Sequence, residues 1–106
     1  MVIIETPTFT RLIQKVMSDD EYRALQEVLV QRPDLGAIIK GSSGLRKVRW
    51  RLHGQGKRGG VRVIYYWVMA DDQIRMLYAY RKVKQEDLTA EQLAVLREIV
   101  ARWSDG

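Results

Sequence analysis

The residues best able to do chemistry in this chain are cations that cluster in its middle third. Eight lysines and arginines lie between residues 40 and 62, and no acidic residue occurs between Asp34 and Asp71. A solvated face normally mixes charges of both signs, so this one-sided placement favours an anionic partner. A merely solubilising face is the alternative on charge alone. The eight cations are Lys40, Arg46, Lys47, Arg49, Arg51, Lys57, Arg58 and Arg62.

Other kinds of catalysis find few candidate residues. The chain has no cysteine, which excludes disulfides and thiolate metal sites, and His53 is its one histidine, which excludes a two-histidine ribonuclease mechanism. Carboxylates are not clustered, so we expect no metal and no cofactor. Arginines can instead bind phosphate oxygens and stabilise the dianionic phosphorane formed when a ribose 2′-OH attacks its own 3′-phosphate. A lysine among other cations has a lowered pKa and could act as acid or base.

Two predicted strands and a glycine-rich loop position these cations. The strand over residues 45–52 alternates between basic and apolar side chains. The strand over 61–69 is apolar at nearly every position after Arg62, which is typical of a strand covered on both faces. Residues 53–60 contain four glycines and two cations, suited either to laying backbone N–H groups against phosphates or to a flexible connection. In the first strand Lys47, Arg49 and Arg51 share one face, and Val48, Trp50 and Leu52 share the other.

The remaining pattern predicts one α+β domain over residues 1–106, in the order β-α-α-β-β-β-α. The sheet is expected to be small and mostly antiparallel, with an αα-hairpin near the amino terminus and a helix at the carboxyl end. The aromatic residues of the strands are expected to be mainly core. The predicted features are a strand over 2–5, helix caps at Thr6 and Ser18, an extended piece over 37–39, a turn over 70–73, a strand over 74–82 and a capping box at Thr89 and Gln92.

Three runs in fixed order carry a family resemblance: GLRKVRW at 44–50, GKRGGVRVIYYW at 56–67 and YAYRKVKQEDLTAEQ at 78–92. Together they strongly resemble the RelE superfamily of bacterial toxins, in its HigB-like branch. The resemblance implies a RelE-like fold for essentially the whole chain. It also implies a ribosome-dependent endonuclease that enters the ribosomal A site and cuts mRNA during translation, without a metal or cofactor.

The resemblance also implies roles for individual residues. Some family members use a tyrosine or histidine at the carboxyl end, and the tail of this chain, ARWSDG, has neither. The residues expected to act on the scissile phosphate are Lys47, Arg49, Arg62 and Lys82. The residues expected to bind RNA are Arg46, Arg51, Lys57, Arg58, Tyr80 and Arg81, with Arg81 alternating to the opposite face.

The expected partners are mRNA and ribosomal RNA, together with a cognate helix-turn-helix antitoxin. A net charge of +5 and a pI of about 9.7 favour nucleic acid or an acidic protein. We expect no signal peptide, no membrane partner and a cytoplasmic location, because the chain shows neither a charged leader nor a long apolar run. The alternatives are a non-catalytic RNA- or ribosome-binding module, including an inactive toxin paralogue, and a protein that binds only a DNA-binding repressor.

Overall fold

The computed structural model describes residues 1–52 and 60–105 of the chain. Within these ranges a five-stranded mixed sheet packs with three α-helices, which confirms the α+β class. A short 3₁₀ turn over Met69–Asp71 leads into the last strand. The elements are β1 Val2–Glu5, α1 Pro7–Val16, α2 Asp19–Gln31, β2 Ala37–Ile38, β3 Arg46–Arg51, β4 Gly60–Val68, β5 Gln73–Arg81 and α3 Ala90–Asp105.

The strands lie in the order β1-β5-β4-β3-β2. The pairs β2–β3, β3–β4 and β4–β5 are antiparallel, as expected of a mostly antiparallel sheet, whereas β1 runs parallel to β5 at one edge. The first and last strands of the chain are therefore neighbours. The three basic and aromatic strands, β3, β4 and β5, lie side by side.

Local capping signals place the three helices where the sequence predicts them. Each N-terminal hydroxyl accepts a backbone N–H bond three residues later, which satisfies one of the donors that a helix start leaves unpaired. At α3 the bond is reciprocal, since the Gln92 side chain also accepts from the backbone N–H of Thr89 at 3.0 Å. The hydroxyl bonds are Phe9 N to Thr6 Oγ1 at 3.1 Å, Glu21 N to Ser18 Oγ at 3.2 Å and Gln92 N to Thr89 Oγ1 at 3.0 Å.

The sheet has a hydrophobic core on each face. Helices α1 and α2 cover one face through residues such as Phe9 and Leu25, and α3 covers the other through Leu96 and Val100. Burial on both faces explains the nearly continuous apolar run of β4. The strand aromatics pack on these cores as predicted, Trp50, Tyr65 and Trp67 on the α1/α2 side and Tyr66 on the α3 side.

A β-bulge at Leu77 interrupts the pairing of β4 with β5. Ile64 pairs with Tyr78, and the next residue of β4, Tyr65, pairs with Met76. Leu77 is therefore an extra residue on β5, and both it and Tyr78 pack against the α3 core. A bulge of this kind shifts the alternation of the strand by one residue.

The bulge decides which face the end of β5 presents. Before it, Ile74 and Met76 point into the core under α1 and α2. After it, Tyr78 and Tyr80 point toward the α3 side. The even-numbered side chains at the end of β5 consequently share a face with Arg62 of β4, which alternates with Ile64 of the α3 core.

Candidate functional site

Four polar side chains from three neighbouring strands meet on the sheet face that α3 partly covers. Arg49 of β3 lies directly across from Arg62 of β4, and Arg62 lies directly across from Tyr80 of β5. Lys47 projects from β3 one alternation away from Arg49, on the same face. We call these four residues the cationic face. Three of the four residues predicted to act on a phosphate are thus brought together.

Arg62 is the most enclosed cation of this face, with only 7% of its surface exposed. Its guanidinium lies over Gly60, where an added Cβ atom would come within 3.3 Å of Arg62 Nη1. No carboxylate among the described residues forms an ion pair with Arg62. A nearly buried charge is costly unless it is paired, so the Arg62 guanidinium is suited chemically to bind an anion.

Tyr80 supplies a hydroxyl next to this guanidinium. The residue is 5% exposed, and its hydroxyl forms no hydrogen bond with the described residues. Burial raises the pKa of Tyr80, and the negative charge of Asp87 raises it further, while Arg62 and Arg49 act in the opposite direction. The hydroxyl therefore stays protonated at neutral pH and is available as a hydrogen-bond donor to an anion.

Asp87 is the one carboxylate that the structure places against the cationic face within the described residues. Its Oδ1 atom lies 2.8 Å from Lys47 Nζ. The hydrogen bond and charge of Lys47 lower the pKa of Asp87, and the charges of Arg49 and Arg62 lower it further. Asp87 was not among the residues that the sequence singled out. It lies 40 positions from Lys47, and no local pattern signals the pairing.

A hydrogen-bond network fixes the segment that carries Asp87. The Gln85 side chain donates from Nε2 to the backbone carbonyl of Asp87 at 2.9 Å and to Gln92 Oε1 at 2.9 Å. Gln92 in turn donates from its own Nε2 to the Tyr78 hydroxyl at 2.9 Å. Gln92, whose side chain caps α3, therefore connects the helix, the last strand and the segment that carries Asp87. This network holds Asp87 in place beside Lys47.

Arg46 is separated from the cationic face. Its Nη1 atom donates to the carbonyl oxygens of Gly36 at 2.8 Å and Asp34 at 3.2 Å, and its guanidinium lies 5.9 Å from the centre of the Trp67 ring. Its neighbour in the sequence, Lys47, points to the other side of the strand. Arg46 therefore lies apart from the cationic face, because carbonyls of the 34–36 turn hold its guanidinium, and its contact with RNA stays a prediction.

Arg81 also lies away from the cationic face, as the alternation of β5 predicts. It lines a shallow cavity with Leu52, Met17 and Ser18, on the α1/α2 side of the sheet. Its Nε atom is buried without a hydrogen-bond partner in the described residues. Arg81 therefore lies outside the cationic face, and its contact with RNA stays a prediction.

The other predicted residues divide into two groups. Arg51 is exposed and lies across from Gly60, and the exposed Lys82 follows β5 with its backbone N–H bonded to the carbonyl of Gly60 at 3.1 Å. Both therefore border the cationic face at the Gly60 end. The second group, Lys57 and Arg58, lies outside the described residues together with His53.

No protein-family model matches the chain. Among the described residues, no cluster of three or more histidine, cysteine or acidic side chains is arranged to hold a metal ion. None of the helices in the described ranges is long and apolar enough to cross a membrane. The fold and the site thus define an α+β protein with a cationic face built across three strands.

Proposed function

We propose that this protein is a RelE-like toxin of the HigB-like branch, a translation-dependent endonuclease that cuts mRNA in the ribosomal A site. The observation that carries the proposal is the row formed by Arg49, Arg62 and Tyr80 across β3, β4 and β5. An enclosed guanidinium without a described carboxylate partner, beside a protonated hydroxyl, suits a phosphate better than a solvated surface does. The α+β class of the fold, with helices on both faces of a mixed sheet, also supports the proposal.

In the proposed reaction the ribose 2′-OH attacks the adjacent 3′-phosphate, and the 5′-oxygen of the next nucleotide leaves. Arg62 and Arg49 bind the non-bridging oxygens and stabilise the charge of the phosphorane. Tyr80 donates a hydrogen bond to the same group. Lys47 and Lys82 are the amines available to move protons at the attacking and leaving oxygens.

Positioning of the RNA by the ribosome would explain how the few catalytic groups of the cationic face are sufficient for cleavage. The four residues of the cationic face include no histidine and no carboxylate, the side chains that most often act as general bases. Holding the 2′-OH in line with the leaving oxygen can lower the activation free energy by about 7–11 kcal/mol. The ribosome, by fixing the message in the A site, would supply that orientation. Arg51, Lys57 and Arg58 are proposed to bind the RNA backbone.

The proposed partners follow from the same assignment. They are mRNA and ribosomal RNA in the cytoplasm, and a helix-turn-helix antitoxin that neutralises the toxin. A basic face favours a partner with an acidic surface, because complementary charge accelerates association.

A second candidate is a non-catalytic module that binds RNA or the ribosome and represses translation without cutting. The lack of a histidine or carboxylate among the four residues of the cationic face favours this non-catalytic candidate. The two functions differ in one product, since only the nuclease generates new 5′ ends on the message.

Primer extension on mRNA from induced cells and from purified translating ribosomes tests the proposal. We expect ribosome-dependent cuts with the natural protein, and little cutting of naked mRNA. Arg62→Met should lower cleavage about a hundred- to a thousandfold, because the charge is lost from the transition state. Arg23→Met removes the same charge from an exposed position of α2, beneath the opposite sheet face, and should cleave normally. Growth arrest without new 5′ ends would favour the second candidate, and rapid cutting of naked RNA would contradict the dependence on the ribosome.

A further inference from the structure

The ion pair between Lys47 and Asp87 places an anion on the cationic face before any RNA is bound. The Lys47 side chain is 21% exposed, whereas the Asp87 side chain is 70% exposed and reaches the lysine from solvent. Pairs with so exposed a partner contribute little to folding stability. The pair can therefore break at little cost in folding stability, as a displaceable contact requires.

The charge environment of Asp87 is that of a phosphate-binding site. The groups that favour its ionised form are Lys47, Arg49 and Arg62. The proposed function assigns Arg49 and Arg62 to the oxygens of the RNA phosphate and Lys47 to the reacting oxygens beside it. The Asp87 carboxylate and the RNA phosphate would therefore be stabilised by the same group of positive charges.

The backbone around Asp87 supports a defined position for this carboxylate. Gln85 holds the carbonyl of Asp87, and Gln92 holds Gln85 from the first turn of α3. The Asp87 side chain itself has no hydrogen-bond donor in the described residues other than Lys47. A phosphate that binds the Lys47 ammonium would thus break the one hydrogen bond described for the Asp87 carboxylate.

We propose that Asp87 is an intramolecular competitor of the RNA phosphate at Lys47. In the free protein its carboxylate binds the lysine ammonium, and RNA binding requires the phosphate to displace it. The inference rests on the proposed function, because it takes the cationic face as the phosphate site. This competition weakens the affinity of the protein for RNA that does not reach Lys47 in a favourable position. Contacts supplied by the ribosome would then decide where the protein binds.

Fluorescence anisotropy with a labelled 2′-O-methyl RNA decamer, which cannot be cleaved, tests this competition without ribosomes. Asp87→Asn should bind the decamer about fivefold more tightly than the natural protein at low salt, and the gain should shrink as salt is raised. Glu86→Gln is the matched control. It removes one negative charge from the adjacent, exposed residue, which forms no ion pair in the described structure. We expect a change of less than about twofold for this variant.

A double-mutant cycle with Lys47→Met shows whether Asp87 acts through the lysine. In that background Asp87→Asn should gain less than about twofold, because there is no ammonium left to release. An equal gain in both backgrounds would reduce the effect to general repulsion and overturn the proposal. So would an Asp87→Asn affinity equal to that of Glu86→Gln, or below that of the natural protein.

Failure of the proposed function would look different in the same assay. If Arg62→Met bound the decamer as tightly as the natural protein, the cationic face would not be the phosphate site. An unchanged affinity of Asp87→Asn alongside a clear loss for Arg62→Met would leave the site in place and refute only the competition.

Discussion

Arg49 and Arg62 occupy one cross-strand position of the β3–β4 pair, with like charges directly opposite each other. Such a pair destabilises a sheet, because the side chains of directly opposed residues lie close together. Arg62 is also nearly buried, which adds a desolvation cost. An arrangement that costs folding free energy is expected where the charges serve a ligand.

Replacing the exposed member of this pair should therefore stabilise the protein. We expect Arg49→Gln to raise the free energy of unfolding by about 0.2–1 kcal/mol, and to weaken binding of the uncleavable RNA decamer. Urea titration followed by circular dichroism measures the first effect. Arg51→Gln is the matched control, since Arg51 faces Gly60 and relieves no like-charge pair. Equal effects of the two substitutions on stability would show that cross-strand repulsion is absent.

The hydroxyl of Tyr80 should lower the folding stability of the protein and strengthen its binding of RNA. It is buried without a hydrogen-bond partner in the described residues, and an unsatisfied buried polar group costs about 1–3 kcal/mol. Tyr80→Phe should consequently keep or raise the melting temperature while weakening RNA binding.

Tyr78→Phe provides the contrasting variant for Tyr80. The Tyr78 hydroxyl accepts a hydrogen bond from Gln92 Nε2 at 2.9 Å. Its removal should cost about 1 kcal/mol of stability. A loss of stability of the same size for both phenylalanine variants would mean that the Tyr80 hydroxyl is satisfied.

Gly36 should tolerate no side chain. A Cβ atom there would lie 2.9 Å from the Tyr65 ring and 3.0 Å from the backbone carbonyl carbon of Lys47. The Tyr65 ring cannot yield easily, because its hydroxyl accepts from Gly36 N at 2.8 Å and donates to the Pro33 carbonyl at 2.7 Å. We expect Gly36→Ala to lower the free energy of unfolding by about 3 kcal/mol, which is measurable by chemical denaturation.

Gly41 is a useful comparison, because its cost has a different origin. It has a φ of +74° and no atom within 4 Å of an added Cβ. Gly41→Ala should cost about 1–2 kcal/mol from backbone conformation alone. If both alanine variants lost the same stability, steric contact at Gly36 would not be the cause.

Stability should fall in alkaline solution. Burial raises the pKa of Tyr22, Tyr65 and Tyr80 above the ordinary value of 10.0, and at Tyr22 the hydrogen bond and charge of Glu5 raise it further. A raised pKa means that the unfolded chain releases these protons first. The contribution to stability is complete below pH 10.0 and is lost as the pH rises toward the folded-state pKa values.

Thermal unfolding between pH 8 and 11 measures this effect. The melting temperature should decline above about pH 10, where the phenols of the unfolded chain ionise. Tyr22→Phe should flatten part of the decline, although it also loses the 2.7 Å bond to Glu5 at neutral pH. An unchanged slope for this variant would mean that Tyr22 titrates normally in the folded protein.

The elements that depend on local signals are predictable from the sequence. Thr6, Ser18 and the pair Thr89 and Gln92 cap helices where the sequence indicates, because a cap involves residues only three positions apart. The alternation of β3 likewise predicts that Lys47 and Arg49 share a face. Strand ends are less well predicted. β3 ends at Arg51 and β4 ends at Val68, because the next residue, Met69, begins a 3₁₀ turn.

The assembly of the site depends on contacts between distant residues. The bulge at Leu77 turns Tyr80 toward Arg62, and its position follows from how β4 and β5 pack between two cores. Arg46 looks like its basic neighbours in the sequence, yet carbonyls of the 34–36 turn remove it from their group. Asp87 reaches Lys47 only because α3 and Gln92 hold its segment over the sheet. Composition and periodicity thus determined that a basic strand face would exist. Tertiary packing alone decided which cations share it and which carboxylate meets them, because those contacts join segments that carry no local signal of one another.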